Sequence, residues 1–160
     1  MHPDWDPQDE KYDADIAIVI LTREVQFNRF IQPVCLPVKS DNDVVGSGTV
    51  VGWGQTVNSE EFYLKPGETP MELEMPVVSH MLCFLRFPIL AEVASERMFC
   101  GGYDNKSKGI CFGDSGNGFY SINQNNARFY VKGIASASLM THTTCDINKF
   151  SLFTNVARYT

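Results

Sequence analysis

The sequence predicts an antiparallel all-β domain, and three observations point that way. Short runs rich in Val, Ile and aromatic residues recur along the chain, each bounded by Gly, Pro or Asn, as strands separated by turns are. Two of these runs, Gly118–Tyr120 and Phe129–Ser136, flank the polar stretch Asn123–Arg128, which reads as a hairpin loop. Between residues 22 and 44, Pro33 and Pro37 exclude a regular helix and suit an extended connector. With 160 residues, 44% of them hydrophobic, the chain can bury one core, and nothing suggests a second.

The elements follow in order. Residues 1–14 are polar, carry two prolines and several acids, and read as a surface loop. Asp13 and Asp15 then open an apolar, β-branched run, Ile16–Leu21, with the pattern of a buried strand. A Val-rich strand is expected within Gly46–Gly54, ending at Trp53 between two glycines, and Gln55–Pro70 reads as a long surface loop. Glu72–Val78 alternates as a strand, Ser79–Arg86 suits a short helix, and Phe87–Leu90 reads as loop. Phe99–Gly102 and Leu152–Val156 complete the strands. Met71, Met75, Met81 and Met98 are best explained as core filling.

Chemistry concentrates in Gly109–Gly118, whose centre is Gly113-Asp114-Ser115-Gly116. A Ser hydroxyl is a weak nucleophile, so catalysis would require a base and donors for a developing oxyanion. Glycines at 113 and 116 let the backbone turn its N–H groups toward one point, and Asp114 could anchor that turn. Read by itself, Gly-Asp-Ser-Gly is equally good surface-turn chemistry.

Composition narrows the alternatives. A net charge of −6 argues against nucleic acid or an acidic membrane surface as partner. The longest apolar run is too short to span a bilayer, and Met1-His2-Pro3-Asp4 lacks the basic, apolar start of an export signal. Five cysteines without Cys-x-x-Cys spacing or clustered His disfavour zinc and favour disulfides. No metal or cofactor is implied. Asn105-Lys106-Ser107 is a glycosylation acceptor and agrees with an extracellular, secreted protein.

Asp13-Ala14-Asp15-Ile16, Pro33-Val34-Cys35-Leu36-Pro37, Val51-Gly52-Trp53-Gly54, Phe99-Cys100-Gly101-Gly102, the Ser115 turn and Gly133-Ile134-Ala135-Ser136 occur in an order that resembles the trypsin/chymotrypsin-like serine proteases. The resemblance covers nearly the whole chain. It implies the antiparallel double β-barrel of chymotrypsin type, with residues 1–27 ending the first barrel, 28–43 connecting, and 44–160 forming most of the second without its terminal helix. Serine endopeptidase chemistry is implied with it: Ser115 as nucleophile, Asp15 orienting the catalytic imidazole, and the Gly113 and Ser115 amides as oxyanion hole. Asp15 could otherwise be a solvated strand end. None of His2, His80 and His142 stands where the resemblance places the catalytic His. The chain is therefore expected to be a fragment, inactive alone, that also lacks the activation segment whose new amino terminus would pair with Asp114. Without that counter-charge Asp114 is expected not to hold the turn in working geometry.

The resemblance also implies disulfides Cys83–Cys100 and Cys111–Cys145. Cys35 is left either to join an upstream chain or to remain a free buried thiol. The substrate pocket is expected from Gly109, Ile110, Ser136, Ser138 and Ser151. Gly109 occupies the position where trypsin-like members carry Asp, which predicts cleavage of protein or peptide substrates after apolar residues. Asn117 stands where Gly is usual, and Ala137 where Trp is frequent. These features are most similar to the modular proteases of arthropod extracellular cascades in immunity or patterning. A catalytically silent homologue serving as a binding or cofactor module is the alternative.

Overall fold

A computed structural model describes residues 1–38, 46–55, 69–106, 108–141 and 144–160. Six strands close into an antiparallel barrel: β1 (Ser47–Gly52), β2 (Met71–Val78), β3 (Met98–Gly101), β4 (Gly118–Asn123), β5 (Arg128–Ser138) and β8 (Ser151–Asn155), in the order β1-β2-β3-β8-β5-β4. The expected hairpin is present, with β4 running from Gly118↔Ile134 to Asn123↔Arg128 against β5. Two-residue strands β6 (Met140–Thr141) and β7 (Thr144–Cys145) form a small separate ladder, which the sequence reading did not anticipate.

Inside the barrel, Phe99, Phe119 and Phe153 form an aromatic cluster. Phe99 stacks on Phe153 at 5.3 Å between centroids, and Phe119 meets both edge-on at 5.3 and 5.2 Å. Met75, Val50, Ile110 and Ala135 fill the space around them. Gly133 is required here, because a Cβ at that position would lie 2.6 Å from the Phe99 ring. Such rings bury large apolar areas, and their edge-to-face contacts add to that burial.

A second cluster, Val78, Cys83, Leu90, Ala94, Met98, Cys100, Phe150 and Leu152, lies under two short helices, α1 (His80–Arg86) and α2 (Ile89–Val93). Helix α1 begins where the Ser79 hydroxyl accepts a hydrogen bond from Leu82 N at 3.3 Å, an ordinary N-cap. The Cys83–Cys100 disulfide fastens it to β3. Helix α2 replaces the loop expected at Ile89 and Leu90: Pro88 is pre-set for a helical start, and burial of Leu90 secures the turn.

The strand expected over Ile16–Leu21 is not formed. Its residues have no ladder partner among the described strands, and Ile18 and Ile20 are 88% and 89% exposed. Apolar, β-branched composition favours a strand only where a neighbour takes up the backbone N–H and C=O groups and the side chains. Residues 22–34 and 36–38 likewise lie outside any strand, and the chain bends at 22–23 and at 29–30, where Asn28 Oδ1 accepts from Phe30 N and Ile31 N. Cys35 alone makes a parallel bridge, donating from its N–H to Phe129 O at 2.9 Å and accepting from Val131 N at 3.1 Å. The expected start of a barrel near Val44, most of the Gln55–Pro70 loop, Ser107 and His142 lie outside the described residues.

Candidate active site

The Ser115 loop is two consecutive turns. Asp114 N donates to Cys111 O and Asn117 N donates to Asp114 O, both at 3.0 Å, with Gly113 at φ +90° and Gly116 at φ +84° in the third position of each. That position of a type II turn requires the left-handed region, so glycine belongs there. Gly116 N donates to Ala135 O and Ala135 N to Asn117 O, each at 2.8 Å, which fixes the loop on β5. Ser115 is left exposed at the tip. Among the described residues no acceptor takes the Gly113 or Ser115 N–H.

Behind the tip, the half-buried Asp114 carboxylate turns inward. Its Oδ1 accepts from Gly54 N at 3.0 Å and from Asn117 Nδ2 at 3.2 Å, while Oδ2 accepts from Cys111 N at 3.0 Å. A Cβ on Gly52 or Gly54 would overlap that carboxylate, so the two glycines around Trp53 make the room it occupies. Within this chain the Asp114 carboxylate thus has three neutral donors. The Cys111–Cys145 disulfide joins the start of the loop to β7.

Asp15 is held from two strands. Ser136 Oγ donates to its Oδ2 at 2.6 Å, and Thr154 Oγ1 donates to its carbonyl oxygen at 2.9 Å. Ser136 can reach because β5 carries one extra residue against β8: Ala135 pairs with Phe153 and Ala137 with Leu152, leaving Ser136 bulged between them. The preceding residue, Ala14, is 1% exposed and left-handed at φ +54°, so the chain bends sharply as it enters Asp15. Sequence reading assigned Ser136 to the pocket wall and missed its bond to Asp15; it missed Thr154 altogether. Thr154 could have been found from alternation in β8, where Phe153 pointing inward leaves its neighbour on the other face.

Arg97 anchors the loop before Asp15. It donates to both Asp13 oxygens, from Nε at 3.0 Å and from Nη2 in a shorter contact, and from Nη1 to Asp4 Oδ2 at 2.8 Å. Its guanidinium also lies 5.1 Å from the Tyr159 ring centroid. The hydrogen bonds from Arg97 hold the Asp13 carboxyl down at about 2, and Asp13 in turn raises Arg97 further above its usual range. Burial raises the Tyr159 phenol.

Asp15 and Ser115, a hundred positions apart in sequence, line one cavity of about 360 Å³, together with Trp5, Ile16, Gly116 and Ile134. No described histidine lines it: His2 packs edge-on against Tyr159, and His80 bonds Met98 O at 3.0 Å from the start of α1. A neighbouring cavity of about 250 Å³ also opens at Ser115, and its walls include Ile110, Ser136, Ala137, Ser138 and Met140. Gly109 and Ser151 are not among its lining residues. Gly109 backs onto Ile147, and buried Ser151 is bonded to the Ser138 hydroxyl at 3.0 Å.

Across all of residues 1–160 the sequence matches the family described as Trypsin. The chain belongs to the trypsin family. Trypsin-family relatives include the human mannan-binding lectin serine protease 1, 31% identical over 137 residues, covering 85% of this chain and 18% of the relative. Serine protease gd of Drosophila melanogaster is 31% identical over 189 residues, covering 99% of this chain and 35% of the relative. Phenoloxidase-activating factor 1 of Holotrichia diomphalia is 33% identical over 161 residues, covering 99% and 41%. The chain thus spans about a fifth to two-fifths of the length of these relatives. The closed antiparallel barrel agrees with the chymotrypsin-type architecture of the trypsin family. Among the described residues no group of three or more His, Cys, Asp or Glu could hold a metal, and no helix is long and apolar enough to cross a membrane.

Proposed function

We propose that this chain carries two of the three catalytic groups of a serine endopeptidase, with Ser115 as nucleophile and Asp15 orienting an imidazole that the described residues do not supply. The observation that supports this is the shared cavity of about 360 Å³ between the Asp15 carboxylate and the exposed Ser115 hydroxyl. An imidazole placed there could accept the Ser115 proton at one nitrogen while its other N–H donates to Asp15. The Gly113 and Ser115 amides, without acceptors among the described residues, are available to an oxyanion.

Substrates are proteins or peptides cleaved after apolar residues. The cavity of about 250 Å³ beside Ser115 presents Ile110, Ala137 and Met140, and no carboxylate is among its lining residues to pair with Lys or Arg. Two disulfides favour an oxidising, extracellular setting, and Cys35 is proposed to bond an upstream chain; Asn105, exposed at a turn, is the proposed glycan acceptor. A place in an extracellular cascade is proposed from the relatives named above.

A second reading, favoured by Asn117 where Gly is usual and Ala137 where Trp is frequent, is a silent homologue that binds without cleaving. Labelling by a fluorophosphonate separates the two. The 160-residue chain alone should label negligibly, and added imidazole should raise labelling at Ser115. Ser115→Ala should abolish that gain and Asp15→Asn should reduce it. No gain at any imidazole concentration would leave the silent homologue as the better description.

A further inference from the structure

Ser136, Ser138 and Ser151 stand in the two strands that wall the cavity of about 250 Å³ beside Ser115, and their hydroxyls are differently employed. Ser136 directs its proton to Asp15 Oδ2. Ser138 and Ser151 face each other across the β5–β8 ladder, with their hydroxyl oxygens 3.0 Å apart. That distance fits donation in either direction, because a hydroxyl rotates to suit its surroundings. Burial decides between them. Ser151 is 2% exposed, and among the described residues its hydroxyl has no partner but Ser138 Oγ. Were Ser151 the acceptor, its own proton would be buried without a partner, which is the costly arrangement. Ser151 therefore donates and Ser138 accepts. Ser138 lines the cavity, so its own proton remains for whatever fills that space. Accepting one hydrogen bond also makes a hydroxyl a stronger donor of the next.

We infer that Ser138 is a specificity-determining residue: its hydroxyl, held by Ser151, donates a hydrogen bond to the side chain in the cavity, so the site favours an uncharged side chain that carries an oxygen acceptor. The inference rests on the reading of that cavity as the substrate pocket and narrows the substrate class. Ile110, Ala137 and Met140 give it apolar walls, and no charged side chain lines it. Ser138 then discriminates among uncharged side chains of one shape. Threonine and valine show the difference most simply, since a hydroxyl in one replaces a methyl in the other. A wholly apolar pocket prefers valine, by up to about a hundredfold. A pocket with a free O–H leaves that donor unpaired against valine and pairs it with threonine.

Two product-like peptides, acetyl-alanyl-alanyl-threonine and acetyl-alanyl-alanyl-valine, test this without turnover when titrated into the 160-residue chain and followed by NMR at the amides of Ile110, Ala137 and Ser138. The threonine peptide should bind as tightly as the valine peptide, or up to about tenfold tighter. In Ser138→Ala the valine peptide should bind at least about tenfold tighter than the threonine peptide. Tighter binding of the valine peptide by the unaltered chain would overturn the inference, and that result holds even if the variant does not fold. A threonine-to-valine ratio that Ser138→Ala leaves within about twofold would overturn it as well. Failure of both peptides to shift those amides would overturn it together with the reading of the cavity as substrate pocket. Imidazole-dependent labelling of Ser115 in the unaltered chain, by a fluorophosphonate with no side chain for the cavity to hold, reports on the nucleophile alone, so a failed nucleophile and a failed Ser138 give different results.

Discussion

Replacing Asp13 by Asn removes a charge from the Arg97 clamp while nearly preserving its shape. In the folded chain the Asp13 carboxyl is held at about 2 against an ordinary 3.8. Holding a carboxyl one pH unit below its ordinary value is worth about 1.36 kcal/mol, so the full linkage is about 2.4 kcal/mol. The side chain is 30% exposed, and solvent screening reduces the expected loss at pH 7 to about 1–1.5 kcal/mol. Because the folded value is depressed, this stability is fully present above about pH 5. It declines as the pH falls through 3.8 toward 2, with about half gone at pH 3. Urea unfolding of the parent and Asp13→Asn chains at pH 7, 5, 4 and 3 measures it. The gap between the two curves should be widest at pH 7 and narrow to about half at pH 3. A gap that is constant across this range, or absent at pH 7, would refute the assignment of that stability to the Asp13–Arg97 pair.

Gly54→Ala puts a methyl group into the Asp114 carboxylate and should cost about 1–3 kcal/mol by urea unfolding, with lost protection at Cys111 N. Phe153→Ala empties the centre of the aromatic cluster and should cost about 3–5 kcal/mol, which a thermal melt would register as a drop of about 10 °C.

The parts of this fold that could be read from the sequence are those whose pattern is local. The β4–β5 hairpin was marked by its polar loop, β2 by its alternation, and α1 by Ser79 before an apolar turn. Ile16–Leu21 misled because composition records what a segment could pair with, whereas a strand depends on what lies beside it. Helix α2 was hidden by its length of five residues, too short for a periodic signal. At the site, Ser115 and its glycines were legible because turn chemistry is local. The partners of Asp15 were not: Ser136 and Thr154 lie 121 and 139 positions away, and a bulge rather than a motif aims the first of them. Asn117 was noticed as a departure, but its bond to Asp114 depends on rotamer and on space left by Gly52.

The additional residue in β5 makes the neighbourhood of Asp15 a matter of counting as much as of chemistry. Ala135 packs in the core, Ser136 leaves the ladder to meet Asp15, and Ala137 resumes pairing with Leu152. Removing the extra position would leave Ala135 and Ala137 as consecutive partners of Phe153 and Leu152 in an unbroken ladder, so the later side chains would keep their faces while the hydroxyl that reaches Asp15 would be lost.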